Sequence, residues 1–247
     1  MAGEIKTGLF LGDCLEGMKS IPDESVHLIC TDPPYGVGYV TNRRKTVEVP
    51  GGVMDALENT KDVVRPVAND AVWNPDWFKV VVEECCRVLH DDTHFYSFVS
   101  DVLLSEHVRI IKDCFQLKNI LVWDKGTHTA GDLEGSYSKR TEFIIFAHKG
   151  RRLLKNGRPE NLIQINKVAP DRLLHNCEKP LLLMSMLIES STDPGEIVCD
   201  PFVGSGTTLL AARGLGRQYL GWEVDPKNYE IAEKRLYEDS IQMKLFT

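Results

Sequence analysis

The stretch Asp200-Pro201-Phe202-Val203-Gly204-Ser205-Gly206-Thr207-Thr208 constrains the fold more than any other. The apolar run Ile197-Val198-Cys199 feeds into it, and Leu209-Leu210-Ala211-Ala212 leaves it before Gly214 and Gly216. This reads as a strand, a tight glycine turn and a helix start, where backbone can approach a ligand closely. A second strand-like run, Gln218-Tyr219-Leu220-Gly221-Trp222, then delivers Glu223. An acid about 20 residues beyond such glycines is spaced to meet a ribose in a nucleoside-binding βαβ unit. No Lys follows the glycines, so the turn is not a phosphate-gripping P-loop. A lone Gly-x-Gly is more often a structural turn; strand, turn, helix, strand and acid together favour a nucleoside ligand.

Strands alternate with helices elsewhere. Strand-like runs cover Lys6–Leu11, Val26–Cys30, Thr93–Val99, Ile120–Trp123 and Glu142–Ala147, and helical patterns cover Cys14–Ile21, Pro75–Leu89, Val102–Cys114, Glu178–Ser190 and Asn228–Tyr237. The class is α/β with a mostly parallel sheet. With 247 residues and 43% hydrophobic side chains, one core-bearing domain over 1–247 is the expectation. Residues 37–75 read as irregular, and a loop that long inside a compact domain is usually functional or mobile.

No secretory core follows Met1, and the longest apolar run, Leu181 to Ile188, is too short to span a bilayer. Seven cysteines without a C-x-x-C pair read as reduced thiols of a cytoplasmic protein, with no metal site. The net charge of −7 argues mildly against nucleic acid, but its distribution matters more. Arg43-Arg44-Lys45 is one basic cluster, and Lys139, Arg140, Lys149, Arg151, Arg152, Lys155 and Arg158 form another. From charge alone, a polyanion site and a merely solvated face are equally good readings.

Asp32-Pro33-Pro34-Tyr35 follows the buried strand Val26–Cys30 and so falls at a carboxyl-terminal strand edge, where open α/β sheets bind ligands. Two prolines donate no N–H and hold their predecessors extended. That leaves the Asp32 carboxylate and Pro33 carbonyl as rigid acceptors beside the Tyr35 ring. Such a set suits an exocyclic amine of a nucleobase: the acceptors engage its N–H bonds, and the ring stacks on the base once it is flipped from the helix. The bland reading, a Pro-Pro turn capped by Asp32 with Tyr35 in the core, stands level with it for this motif alone.

Together the two motifs resemble the β-class of S-adenosylmethionine-dependent DNA amino-methyltransferases, in which the catalytic motif precedes the cofactor motif. Gly12-Asp13-Cys14, Arg87-Val88-Leu89, Trp123-Asp124-Lys125-Gly126 and Thr141-Glu142-Phe143 extend the resemblance, as does His175-Asn176-Cys177-Glu178-Lys179-Pro180. The last departs from the family's His-Pro-Thr-Glu-Lys-Pro at Asn176 and Cys177. The resemblance implies a Rossmann-like methyltransferase fold with permuted motif order, a mostly parallel seven-stranded sheet with one antiparallel strand, and helices on both faces. It implies that Asp32, Pro33, Pro34 and Tyr35 are catalytic, holding and stacking the target base. Asp200, Phe202, Gly204, Ser205, Gly206 and Thr207 would surround the cofactor's methionine and ribose, and Glu223 would accept from the ribose hydroxyls. Asp13 and Cys14 would meet the adenine end; His175 and Lys179 would border the methionine end. For Asp13 a simple turn competes with this role, for His175 a helix cap, and for Lys179 a first-turn surface position.

The implied reaction is direct methyl transfer from S-adenosylmethionine to the N6 amine of adenine in double-stranded DNA with its target base flipped out. Asp at the first motif position leans towards adenine in this family and Ser towards cytosine, so N4-cytosine is the alternative. The lower-ranked readings are a protein glutamine methyltransferase and a non-catalytic DNA-binding protein. No cysteine lies in a Pro-Cys dipeptide, which argues against methylation at cytosine C5. DNA contacts are expected from Arg43, Arg44 and Lys45 in a 37–74 insertion, and from Lys139, Arg140, Arg151 and Arg152 around a short basic segment, 150–176. A homodimer fits the class.

Overall fold

The structure, a computed structural model, describes residues 5–34, 46–49, 52–55, 73–127, 135, 137–155, 157–168 and 178–245, with side chains except at 46–49, 52–55 and 240–245. The strands are β1 (Gly8–Leu11), β2 (Val26–Thr31), β3 (Thr46–Val49), β4 (Gly52–Asp55), β5 (Leu89–Val99), β6 (Gln116–Asp124), β7 (Thr141–Lys149), β8 (Leu162–Gln164), β9 (Ile197–Asp200) and β10 (Gln218–Glu223). The helices are α1 (Cys14–Met18), α2 (Pro75–Val88), α3 (Leu104–Ile111), α4 (Leu181–Ser191), α5 (Thr207–Gly214) and α6 (Pro226–Leu245).

Two compact units make up the chain. Residues 34–74 form one, and its described strands are the antiparallel pair β3–β4. This corrects the irregular reading of 37–75 at 46–49 and 52–55, where four-residue strands are too short to announce themselves in the sequence pattern. The other unit, residues 1–33 and 75–247, holds an eight-stranded sheet in the order β1-β10-β9-β2-β5-β7-β6-β8. β7 alone runs antiparallel to its neighbours. The sheet has eight strands rather than the expected seven because Leu162–Gln164 adds a three-residue edge strand parallel to β6.

Near-continuous apolar runs become the central strands. β2 buries every residue but His27, as a strand covered on both faces must. One face packs Leu28, Cys30, Val198, Tyr96 and Ile144 against α4 and α5. There α4 buries Leu183, Met184, Leu187 and Ile188, each stabilising by roughly 1.5–3 kcal/mol. On α2, Phe78, Val81, Val82, Cys85 and Val88 are buried at helical spacing. Arg87, near its end, donates to the Ile21 and Met18 carbonyls and pairs with Asp23 and Glu84. That contact satisfies carbonyls at the end of α1, which reaches only Met18 rather than Ile21.

The sheet order places a switch point between β9 and β2. From β2 the chain crosses through α2 to β5; from β9 it crosses through α5 to β10, the opposite way. The two strands pair in parallel, Leu28 with Val198 and Ile29 with Cys199, so Thr31-Asp32 and Asp200 leave the sheet side by side. The juxtaposition inferred from the two motifs is therefore present. Gly221, opposite Asp200 in β10, allows the turn to close against the sheet. A Cβ there would lie 2.4 Å from Val203 Cγ2 and 2.7 Å from the Asp200 carbonyl oxygen. Gly221→Ala should lower stability by about 1–3 kcal/mol through overpacking; an unchanged urea midpoint would contradict this close packing.

Candidate active site

Asp200 is the hub of the carboxyl edge. Its Oδ1 accepts from Thr31 Oγ1 at 2.8 Å and from the Phe202 N–H at 3.0 Å, and its Oδ2 accepts from Thr208 Oγ1 at 2.6 Å. One carboxylate thus joins β2, the glycine turn and α5. The carboxylate is buried in the fold. Burial drives its pKa up from 3.8 to about 6, although the three donors oppose that rise.

The glycine turn follows. Gly204 and Gly206 have φ of +54° and +87°, conformations that favour glycine. A Cβ on Gly206 would meet Ala232 Cβ at 2.9 Å, so the turn seats directly on α6. Arg235 of α6 donates to the Ser205 carbonyl at 2.6 Å and pairs with Glu178 at 2.8 Å. Ser205 and Thr207 are buried, and Phe202 is half-buried, its ring 5.6 Å from that of Trp77.

Glu223 ends β10 beside this turn. Its Oε2 accepts from the Gly204 N–H and its Oε1 from the Asp225 N–H, both at 2.8 Å. The carboxylate is therefore oriented by backbone, with burial raising its pKa and those N–H groups lowering it. One strand further out, Leu11 lies opposite Glu223, and the Gly12 N–H donates to the Glu223 carbonyl. Asp13 comes to the same edge, where its Oδ1 caps α1 through the Leu15 and Glu16 N–H groups at 2.8 and 3.2 Å. Cys14 is buried against it, its thiol pushed up to about 12 by burial and by the Asp13 charge.

On the other side of the switch point stands Asp32. Lys179 Nζ lies 2.6 Å from Asp32 Oδ2 and 2.7 Å from Glu142 Oε1, with the lysine side chain only 10% exposed. Lys125 approaches the other Glu142 oxygen at 3.8 Å. Burial lowers the Lys125 pKa, against the opposing pull of Glu142. Lys179 is thus part of the edge and not a surface residue. Pro33 is buried; Pro34 belongs to the other unit. Tyr35 and His175 lie outside the described residues, as do Arg43, Arg44 and Lys45.

The basic segment separates into two places. Arg140 forms a bidentate pair with Asp124 at 2.5 and 2.7 Å, and Lys139 pairs with Asp101. These belong to the carboxyl edge, because Thr141 opposes Asp124. Arg151 and Arg152 follow Lys149, which opposes Thr93 near the amino ends of the parallel strands. Arg152 pairs with Glu196 and Asp193 and is 17% exposed. The structure does not bring Arg151 or Arg152 to the site; an antiparallel β7 carries its end to the far edge, which charge counting along the sequence ignores.

Sequence reasoning also missed Arg235 and the braces Thr31 and Thr208. Arg235 had no local signal in a polar helix. The threonines were visible as neighbours of the two motifs, but only the register of β2 and β9 shows that they share one carboxylate.

The DNA methylase family model matches residues 26–234. The chain belongs to the DNA methylase family. It is 29% identical to the type II methyltransferase M.HinfI of Haemophilus influenzae, over 92% of this chain and 67% of that one. It is 28% identical to the DNA adenine methyltransferase YhdJ of Escherichia coli strain K12, over 94% and 83%. Among solved structures, the M1.HpyAVI complex with SAM superposes with a TM-score of 0.65 at 23% identity, covering 92% of this chain and 98% of that one. The cytosine-N4-specific PvuII DNA methyltransferase gives 0.69 at 20% identity, covering 93% and 86%. The chain is a DNA methyltransferase of the N6/N4 amino-methylating family, with the Rossmann-like methyltransferase fold.

The Asp200 hub makes a pH prediction. The folded protein holds its proton more tightly than the unfolded chain between pH 3.8 and about 6. The stability Asp200 contributes is therefore greatest below that window and falls as pH rises through it. Asp200→Asn has no proton to lose there. The wild-type-minus-variant unfolding free energy should fall by up to about 3 kcal/mol between pH 4 and 7. A pH-independent difference in urea unfolding would contradict the buried clamp.

Proposed function

We propose that the chain methylates the N6 amine of adenine in double-stranded DNA, using S-adenosylmethionine. The observation that carries this is the parallel pairing of β2 with β9, which sets the Asp32 motif beside the glycine turn and Glu223. The residues fit that cofactor. Glu223 is oriented towards the turn by two backbone N–H groups, and no side chain has to be accommodated at Gly204, where a Cβ would meet only open space. Asp13 and Glu223 bring two carboxylates to neighbouring strand ends, which favours a ligand of net positive charge.

When bound, S-adenosylmethionine supplies an electrophilic methyl group on a sulfonium, which passes to the amine as one C–S bond is exchanged for one C–N bond. The Glu223 carboxylate would accept from the ribose hydroxyls, and the glycine turn would admit the methionine portion. Asp32 and the Pro33 carbonyl accept the two N–H bonds of the target amine, aim its nitrogen and stabilise the positive charge that develops there. Tyr35 stacks on the flipped base. Orientation of this kind supplies much of the rate. The nitrogen attacks directly, so no nucleophilic side chain is required. Recognition of the DNA falls to the 34–74 unit, with Arg43, Arg44 and Lys45, and to the 125–140 loop, with Lys139 and Arg140. A homodimer is the assembly we assign, readable by sedimentation of the purified chain.

Adenine is preferred over cytosine because Asp stands at the first motif position, as the resemblance implies, and because YhdJ is a DNA adenine methyltransferase. Digestion of enzyme-treated DNA to nucleosides should yield N6-methyladenine; finding N4-methylcytosine alone would reverse the assignment. Asp32→Ala should reduce methyl transfer by at least about a hundredfold while DNA binding persists. Retained transfer would remove Asp32 from the chemistry.

A further inference from the structure

Lys179 stands where a lysine has two anchors. Its ammonium contacts Asp32 at 2.6 Å and Glu142 at 2.7 Å, and it sits 4.8 Å above the Phe98 ring. Two charged acceptors and an aromatic face fix an ammonium that has three donors to place. The neighbouring backbone is pinned as well. Glu178 is held by Arg235, and Pro180 N-caps α4 in an extended conformation. Glu142 is approached on its other oxygen by Lys125. The lysine is therefore set from α4's approach, β7 and the chain after β6 at once, and its contact falls on one particular oxygen of Asp32.

We propose that Lys179 is a positioning residue for methyl transfer: it holds Asp32 as an ionised hydrogen-bond acceptor through its contact with Oδ2, and Glu142 is the strut that holds the lysine. This rests on the assignment of Asp32 to the target amine. Its consequence is that Asp32 does not remove the amine's proton. An adjacent ammonium stabilises the carboxylate form and makes it a weaker base, while leaving it a good acceptor for an N–H that becomes more positive during transfer. The proton leaves to water after the C–N bond has formed.

The titratable groups around Asp32 give the direction of the pH effect. Cys30 precedes it on β2, buried and with its thiol held protonated well above the ordinary range. Asp200 on β9 and Glu142 on β7 are the acidic groups near it. Lys179 before α4 is the cation in direct contact, and Lys125 after β6 is one step behind it. Removing the ammonium leaves the acidic neighbours, so Asp32 takes up a proton at higher pH than before.

The test is single-turnover methyl transfer to DNA across pH, with cofactor affinity measured separately by equilibrium binding. Lys179→Met should lower the single-turnover rate at neutral pH by at least about tenfold, with cofactor Kd within about twofold of wild type. Its acid limb should move to higher pH, and Lys179→Arg should restore both rate and limb towards wild type. Glu142→Gln, which keeps the ammonium but loosens it, should cost a smaller rate factor without moving the limb upward. Should Lys179→Met melt below the assay temperature, Lys179→Gln takes its place with the same expectations. An unmoved limb with an unchanged rate would overturn the proposal. So would a loss confined to cofactor affinity, with the saturated rate intact, since Lys179 would then be a cofactor contact. Asp32→Ala run in parallel separates the two levels. If it abolishes transfer while Lys179→Met is neutral, only the positioning role fails; if it transfers normally, the assignment of Asp32 fails with it.

Discussion

The site depends on one buried carboxylate. Asp200 takes hydrogen bonds from Thr31, Phe202 and Thr208, and so ties the strand that ends in Asp32 to the turn that precedes α5. Remove that tie and β2 and β9 still pair through Leu28 and Ile29, but the direct bond between their ends is lost. Burying the charge is costly, as the rise of its pKa to about 6 shows. Three donors offset much of the cost, and the return is a rigid relation between two loops that come from opposite ends of the chain.

A second ionic arrangement lies on the other side of the switch point, where Asp32, Lys179, Glu142 and Lys125 alternate in sign. The two arrangements differ in kind. Asp200 is enclosed and serves geometry, whereas Asp32 keeps partial exposure and is paired with a cation. Two aspartates at adjacent strand ends are thereby given separate tasks by their surroundings. The acidic edge also reconciles a chain of net charge −7 with a polyanionic substrate. Acids gather at the strand ends, while the basic clusters expected to meet DNA lie elsewhere in the sequence.

Much of this was legible in the sequence because the informative features are local. Gly204 and Gly206, the acid at Glu223 and the Pro-Pro after Asp32 each carry a backbone or spacing signature that survives without a structure. Their adjacency was an inference from topology, and β2–β9 pairing bears it out. What could not be read depends on register and direction. Leu162–Gln164 is too short to announce a strand, and β3–β4 is hidden in a segment that looks irregular. Arg152 looks like a DNA contact until β7 is found to run antiparallel and deliver it to Glu196. Lys179 resembles a first-turn surface residue until Asp32 and Glu142 are found around it. The Asp200 carboxylate accepts from Thr208 within its own motif and from Thr31, a contact that appears only when strands 169 residues apart are aligned.

The central claim is that the β9–β2 switch point builds a single site, with the cofactor on the Glu223 side and the target base on the Asp32 side. A crystal structure with an unreactive S-adenosylmethionine analogue and a short duplex containing the target sequence measures it most directly. The account predicts ribose hydroxyls on the Glu223 carboxylate, a flipped base whose amine lies within hydrogen-bond distance of Asp32, and the analogue's sulfur-equivalent position in line with that amine. An analogue bound with that end directed away from Asp32, or a target base held elsewhere on the sheet edge, would contradict it.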